Sequence, residues 1–290
     1  KAGLRQLQNT DRPGFCALLE EVGLAGKPVT AENISYAIAP RINAAGRMGD
    51  ANCALRLFTS ENREEIYDLA CRLNAFNMER QQVCDEVYKS AKRKIEEEGS
   101  AYESAILLYD ESWSAGLVGI VAAKISEEFN RPAILFVKNG GVLKGSARTI
   151  DNINIYEALK NCSEYIEEFG GHSQAAGVKV REENFAAFRK ALCGYLDGKY
   201  SREDFIPTVW VAAEVDFAFD LALAEELERL EPCGVGNRRP LFALTVGSVP
   251  ARPLKDGSPH IALKTDALEL VWFGGGKSLP VLEADVEKRL

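Results

Sequence analysis

The stretch that most constrains how this chain folds is a long amphipathic run near its first third. From Asn62 to Glu98, apolar residues recur at Ile66, Leu69, Leu73, Phe76, Val83, Val87, Ala91 and Ile95. Spacings of three, four and seven place them on one helical stripe, and the other faces are heavily charged. Gly99 is a natural stop. At about 1.5 Å per residue such a helix reaches roughly 50 Å. A helix of that reach is expected to connect domains rather than sit inside one.

Beyond Gly99 the pattern changes to alternating strands and helices. Strands are expected at Ser104–Tyr109, Ala133–Val137, Val142–Ala147 and Ala176–Val180, the third being the weaker one. Helices are expected at Ala115–Phe129, Asn154–Phe169 and Glu183–Leu196. Gly170 and Gly171 would end the middle helix with a left-handed cap. This order implies an α/β sheet with helices on its faces. After Lys199–Pro207 come a strand at Thr208–Val215, a short helix at Leu221–Leu230 and strand-like runs at Leu241–Val246, His260–Lys264 and Leu268–Phe273. They read as the start of a small β-barrel whose closing strands do not follow before Leu290. The expected organisation is residues 1–60, a connecting helix over 61–99, an α/β domain over 100–200, and a linker with a partial barrel over 201–290. With Lys1 rather than Met in first place, the chain is expected to be processed or part of a longer protein.

Composition removes several function classes. Thirty-five basic residues against 43 acidic ones give a net charge of −8. A generally basic nucleic-acid coat is excluded, so a polyanion would have to be held in a local cleft. The seven cysteines contain no CxxC pair, which points to reduced thiols in a cytoplasmic protein. No apolar run approaches the roughly 20 residues of a membrane helix. The two histidines, His172 and His260, stand far apart, and no Asp/His cluster suits a two-metal phosphodiesterase. A phosphate loop of the GxxxxGK[ST] type is also missing.

Four constellations remain as carriers of chemistry. In Gly170–Gly177 (GGHSQAAG), two glycines would uncover backbone N–H groups for an anionic oxygen, with His172 as a further donor. The same residues also suit a plain helix cap and tight turn. In Lys144–Thr149 (KGSART), Ser146 and Arg148 lie two apart on a strand and share a face. Arg148 suits two parallel hydrogen bonds to a phosphate and Ser146 a third; an exposed charged strand is the bland alternative. Between Ala39 and Ala51, Arg41 and Arg47 stand among small residues that permit close approach to a phosphate. One of them could instead pair with Asp50 or another acid. The fourth, Glu231–Pro240, is rich in turn residues and reads as the approach to the first barrel strand.

Taken in order, APRINAAGRMGDA (Ala39–Ala51), LNAFNMERQ (Leu73–Gln81), GSART (Gly145–Thr149), FGGHSQAAG (Phe169–Gly177) and LEPCGVGN (Leu230–Asn237) resemble the RecJ family of DHH-superfamily nucleases. The resemblance runs from Gly3 to Leu290. It implies a DHHA1-type α/β domain followed by a partial OB-fold barrel, in a 5′→3′ exonuclease for single-stranded DNA acting in recombination and repair. The family's Asp-His-His motifs, which bind Mn²⁺ or Mg²⁺, belong to a preceding domain and are not in this sequence. Hydrolysis is therefore expected to need residues outside this chain.

Carried over by motif, Gly170, Gly171 and His172 would grip the DNA backbone, with His172 facing the reaction centre. Ser146 and Arg148 would receive the 5′-phosphate. Arg41 or Arg47, with Arg47 favoured, would assist. The expected partners are single-stranded DNA and a single-strand-binding protein. Two departures stand out: Trp113-Ser114-Ala115-Gly116 lacks the His common at position 114, and Thr149 replaces the commoner Ser. The alternative is a non-catalytic nucleic-acid-binding scaffold of a replication or repair complex.

Overall fold

Four short α-helices precede the long one, α1 (Ala2–Gln8), α2 (Pro13–Glu21), α3 (Ala39–Met48) and α4 (Asn52–Thr59), with a π-helical segment over Asn33–Ile38 leading into α3. The long helix α5 runs over Arg63–Glu98, 36 residues. These are seen in a computed structural model that describes residues 1–215, 220–246, 250–265, 269–278 and 288–289. The Asn62 side chain caps α5 by accepting from the N–H groups of Glu64 and Glu65, two otherwise orphaned donors. At the other end Gly99 adopts φ 67° and returns its N–H to the Ile95 carbonyl. Contacts divide the chain into two units, Ala2–Pro207 and Thr208–Leu290 with Lys1.

The stripe on α5 serves two cores. Ile66, Leu69, Ala70 and Leu73 pack with Leu18 of α2, Ala45 of α3 and Leu57 of α4. Further along, Val87, Ala91 and Ile95 pack against the sheet that follows. Its first strand β1 (Ile106–Asp110) leads through α6 (Val118–Phe129) to β2 (Ala133–Asn139), which runs parallel to it. A tight turn with Gly140 and Gly141 at φ 57° and 81° returns the chain as β3 (Val142–Arg148). Then come α7 (Ile155–Asn161), β4 (Glu168–Gly171), β5 (Ala175–Arg181) and α8 (Phe185–Lys199). The order across the sheet is β1-β2-β3-β5-β4, antiparallel from β2 onward.

One face of this sheet is closed. Leu107, Ile134, Phe136, Leu143, Ala147, Ala176, Val178 and Val180 are buried there with Ala158 and Leu159 of α7 and Phe188, Leu192 and Leu196 of α8. On the other face, Val118, Val121, Ala122 and Ile125 of α6 join Ile106, Leu108, Ala133 and Leu135 of β1 and β2. The residues of β3, β5 and β4 on that face are not part of this core.

Several sequence expectations are corrected. The helix expected over Asn154–Phe169 stops at Asn161, and Glu168–Gly171 is an edge strand paired with β5. Ile155, Leu159 and Cys162 are buried as the stripe requires, and Ile166 and Phe169 still pack on the same core. Spacing alone does not distinguish a helix from a helix, a turn and a strand delivering the same side chains. Gly170 and Gly171 therefore form no helix cap. The strand at Val142–Ala147, expected to be the weaker one, is central in the sheet and runs to Arg148. The helix expected from Ala115 starts at Val118.

In the second unit, β6 (Ala213–Val215) is followed by α9 (Leu221–Glu228), β7 (Phe242–Val246), β8 (Ala251–Pro253), β9 (Ile261–Lys264), β10 (Glu269–Trp272) and β11 (Lys288–Arg289). They form two three-stranded sheets, β10-β9-β8 and β11-β7-β6. Among the described residues of this unit, Ile261, Ala262 and Leu263 are its best-buried hydrophobic residues. The strand expected from Thr208 begins only at Ala213, and Val209 and Trp210 are exposed. Their apolar character suits a strand, but a strand exists only where a neighbour takes its hydrogen bonds. Leu268, expected to open a strand, and residues 279–287 lie outside the described residues.

Candidate functional site

Cross-strand register assembles the site. Arg148 of β3 stands opposite Ala175 of β5, and the His172 N–H donates to the Ala175 carbonyl at 2.9 Å. One row along, Ser146 stands opposite Gly177, and Gly177 opposite Gly170. In the next row Lys144, Lys179 and Glu168 align. Because side chains alternate across a strand, all three rows project from one face. It is the face that α6 covers only in part. Arg148, Ser146, Gly170 and His172, which are 26 positions apart in the chain at most, thus become near neighbours.

The start of α6 closes one side. A Cβ placed on Gly119 would lie 3.0 Å from Arg148 Nη2 and 3.3 Å from Ser146 Oγ. The first turn of α6 therefore abuts both side chains, and its N-terminal partial positive charge favours an anion there. Beside it, Ala115, Val118, Lys144, Ser146, Gly170 and Gly177 line an open cleft of about 500 Å³. Two glycines in its floor leave room for a ligand to approach the backbone.

Arg47 enters from the helical part. Its Nη1 donates to the Gly116 carbonyl at 2.7 Å, just ahead of α6. Burial holds the Arg148 pKa below its ordinary value, and the nearby Arg47 charge lowers it further. Two guanidiniums thus repel each other, and Arg148 has no ion pair among the described residues; its Nη1 donates only to the Ala147 carbonyl, at 2.7 Å. Such a place gains from an anion that both cations can share. Lys144 likewise has no ion pair among the described residues. In contrast, Lys138 is paired with Glu182 at 2.6 Å, and Lys179 with Glu167 at 3.2 Å and Glu168 at 3.5 Å.

Arg41 lies elsewhere. Its Nε donates to Asn74 Oδ1 at 2.9 Å and its Nη1 to the Ala37 carbonyl at 2.6 Å. Asn74 in turn donates to Glu21 at 2.6 Å. Arg41 is thus engaged in the helical core, and the structure does not bring it to Arg148. Of the two arginines, Arg47 is the one beside Ser146 and Arg148.

Gly171 and His172 sit at the β4–β5 turn. Gly171 has φ 151°, and a Cβ there would overlap the Ala175 carbonyl and Ala176. Only glycine fits without moving the turn. The turn is anchored twice: the Ile155 N–H donates to the Ser173 carbonyl at 2.9 Å, and Gln174 Nε2 donates to the Asp151 carbonyl at 3.3 Å. His172 is exposed on this anchored turn. The other histidine, His260, belongs to the second unit, where its Nδ1 accepts from the Gly274 N–H at 2.9 Å.

Sequence reasoning missed Gly116 and Gly119. The signal was present in Trp113–Gly116, where only the missing His drew notice. Trp113 is buried and donates to Ser90, while the Ser114 carbonyl accepts the Leu117 and Val118 N–H groups that start α6. Thr149, at the end of β3, keeps a buried hydroxyl with no hydrogen-bond partner. Among the described residues, no group of three or more His, Cys, Asp or Glu is placed to hold a metal ion. The donor set of the described residues does not fit a Mn²⁺ or Mg²⁺ centre.

Residues 102–198 match the DHHA1 domain family and residues 213–288 the RecJ OB domain family. The single-stranded-DNA-specific exonuclease RecJ of Bacillus subtilis is 34% identical over 245 residues, 82% of this chain and 30% of that protein. Its counterpart in Thermus thermophilus is 33% identical over 285 residues, 97% of this chain and 40% of that protein. The chain belongs to the RecJ family. A crystal structure of Thermus thermophilus RecJ in complex with Mg²⁺ matches with a TM-score of 0.77 at 30% identity, covering 93% of this chain and 41% of that one. The same protein in complex with Mn²⁺ matches with a TM-score of 0.77 at 31% identity. The fold is thus the DHHA1 sheet with flanking helices, behind a long helix and ahead of an OB-type unit. The chain spans less than half the length of these RecJ relatives.

Proposed function

We propose that this chain supplies the backbone and 5′-phosphate clamp of a 5′→3′ single-stranded-DNA exonuclease of recombination and repair. The observation that carries the reading is the meeting of Ser146, Arg148 and Arg47 at the start of α6, where neither arginine has an ion pair among the described residues. Arg148 donates two parallel N–H bonds to the terminal phosphate, Ser146 adds a hydroxyl, and Arg47 neutralises the remaining charge. Gly170 and Gly177 admit the sugar-phosphate chain against the sheet. His172, on its anchored turn, donates to the phosphate next to the reacting bond and keeps it in place. Positioning of this kind matters because misplacement by about 1 Å can cost roughly a hundredfold in rate. Hydrolysis itself would draw on a divalent metal bound outside this chain. The OB-type unit would hold the trailing strand by stacking and backbone contacts. Seven unpaired cysteines suit a cytoplasmic protein. A single-strand-binding protein is proposed as partner on the family resemblance alone.

Fluorescence anisotropy with a single-stranded oligonucleotide, with and without a 5′-phosphate, tests the clamp. Tighter, salt-sensitive binding of the phosphorylated strand is expected, and Arg148→Ala should abolish the difference. No preference in the unaltered chain would overturn the assignment of Ser146 and Arg148. The purified chain should also leave DNA uncut in Mn²⁺. Cleavage abolished by His172→Ala would refute the division of labour.

A further inference from the structure

The Leu73–Gln81 motif has no part in the clamp just described, yet it holds an unusual pair. Asn77 lies on the buried side of α5 with 2% of its surface exposed, between the two cores that the helix serves. Neighbouring buried positions Leu73 and Val87 are apolar. An amide there costs desolvation unless it is hydrogen-bonded. Its Oδ1 accepts from Arg80 twice, from Nε at 3.3 Å and Nη2 at 3.0 Å. Arg80 has no ion pair among the described residues. A guanidinium has five N–H donors, so three remain after these two bonds. The buried amide thus fixes a cation without neutralising it.

The place of that cation is set by α3. The backbone at Gly49 lies against the Phe76 ring, so close that a Cβ would overlap it. Arg47 is two residues before Gly49 and reaches the Gly116 carbonyl beside the pocket. Arg80 follows Phe76 by four residues and so lies on the same helical side, about 6 Å further along the axis. Arg80 thus lies on the side of α5 that faces the segment carrying Arg47. Arg80 and Arg47 both act electrostatically on the thiol of Cys84, one further turn along α5, as does Lys124. Lys124 itself is engaged with Asp85 at 3.6 Å and lies 3.7 Å from the Tyr88 ring centroid. Asp85, five residues beyond Arg80, is thereby engaged with Lys124, and among the described residues neither it nor the adjacent Glu79 is ion-paired with Arg80.

We infer that Arg80, oriented by Asn77, is a further phosphate-binding cation that engages the nucleic-acid backbone beyond the Ser146–Arg148 pocket. Asn77 is its positioning residue. The inference rests on the clamp reading and extends it from one phosphate to a short backbone track.

The test compares Arg80→Gln, Arg80→Lys and Asn77→Asp with Arg148→Ala. Binding is measured by anisotropy against salt, for a 5′-phosphorylated dinucleotide and for a strand long enough to leave the pocket. Each phosphate contact to a single strand contributes about 0.7 to the slope of log affinity against log salt. Arg80→Gln should lower the long-strand slope by about that amount and leave the dinucleotide and the 5′-phosphate preference unchanged. Asn77→Asp, which sets a carboxylate against Arg80, should do the same, and Arg80→Lys should keep the slope. Thermal melting of each variant separates loss of contact from loss of fold, and Arg80→Lys with Asn77→Asp carries the test should Arg80→Gln unfold. An unchanged slope in folded Arg80→Gln or Asn77→Asp, while Arg148→Ala abolishes the preference, overturns the role of Arg80 alone. An intact preference in Arg148→Ala overturns the pocket, and the track with it.

Discussion

The two faces of the five-stranded sheet are made from alternate residues of the same strands, yet they do opposite work. On β3, Leu143 and Ala147 are buried beneath α7 and α8, while Lys144, Ser146 and Arg148 point to the partly open side. On β5 the same division separates Ala176, Val178 and Val180 from Ala175, Gly177 and Lys179. The closed face holds the large apolar volume: Phe136 meets Phe185 and Phe188 edge-on, with centroids 5.8 and 6.4 Å apart. The open face keeps cations and glycines, which stabilise little in the free protein. Stability and the proposed recognition thus fall on opposite sides of one strand pair, and a one-residue shift in register would exchange them.

That separation can be attacked from either side. Phe136→Ala should have the largest effect, a loss of roughly 3–5 kcal/mol of stability, seen in chemical denaturation, with the preference for a 5′-phosphate retained in the molecules that remain folded. A fall in that preference without a fall in stability would mean that the faces are not separable. High pH is the next probe of the closed face. Cys162 is buried there, and burial pushes its thiol from 9.0 up to about 11. The unfolded chain loses this proton first, so the stability held below pH 9 should decline as pH rises toward 11, by on the order of 2 kcal/mol. Cys162→Ala should flatten that part of a pH-melting curve.

Arg148→Ala attacks the open face. Loss of a charged hydrogen bond to phosphate is worth about 1.5–3 kcal/mol, so binding of a 5′-phosphorylated strand should weaken tenfold or more while the melting temperature holds. A melting temperature that falls as far as in Phe136→Ala would show that Arg148 is structural. The slope change at Arg80 is the smallest expected effect, and it asks whether recognition extends past the sheet onto α5.

Much of this was legible along the chain. The stripe on α5, its Gly99 stop and the α/β alternation follow from spacing and chain chemistry, because a helix or a buried strand is dictated mainly by its own residues. Ser146 and Arg148 could be placed on a common face for the same reason. The motifs carried the family as well, since each is a short local pattern. Other features depended on partners distant in sequence. Whether Glu168–Gly171 continued a helix or formed an edge strand was decided by β5, which supplies the hydrogen bonds. The Val209–Val211 stretch has strand-forming residues but stays outside the sheet, whose strand begins at Ala213. Arg41 and Arg47 are alike in a linear reading, and only packing sends one to Asn74 and the other to Gly116. Side-chain type and spacing determined which residues could bind a phosphate; the tertiary structure alone decided which of them meet, because that depends on register and on helix approach, which no local pattern encodes.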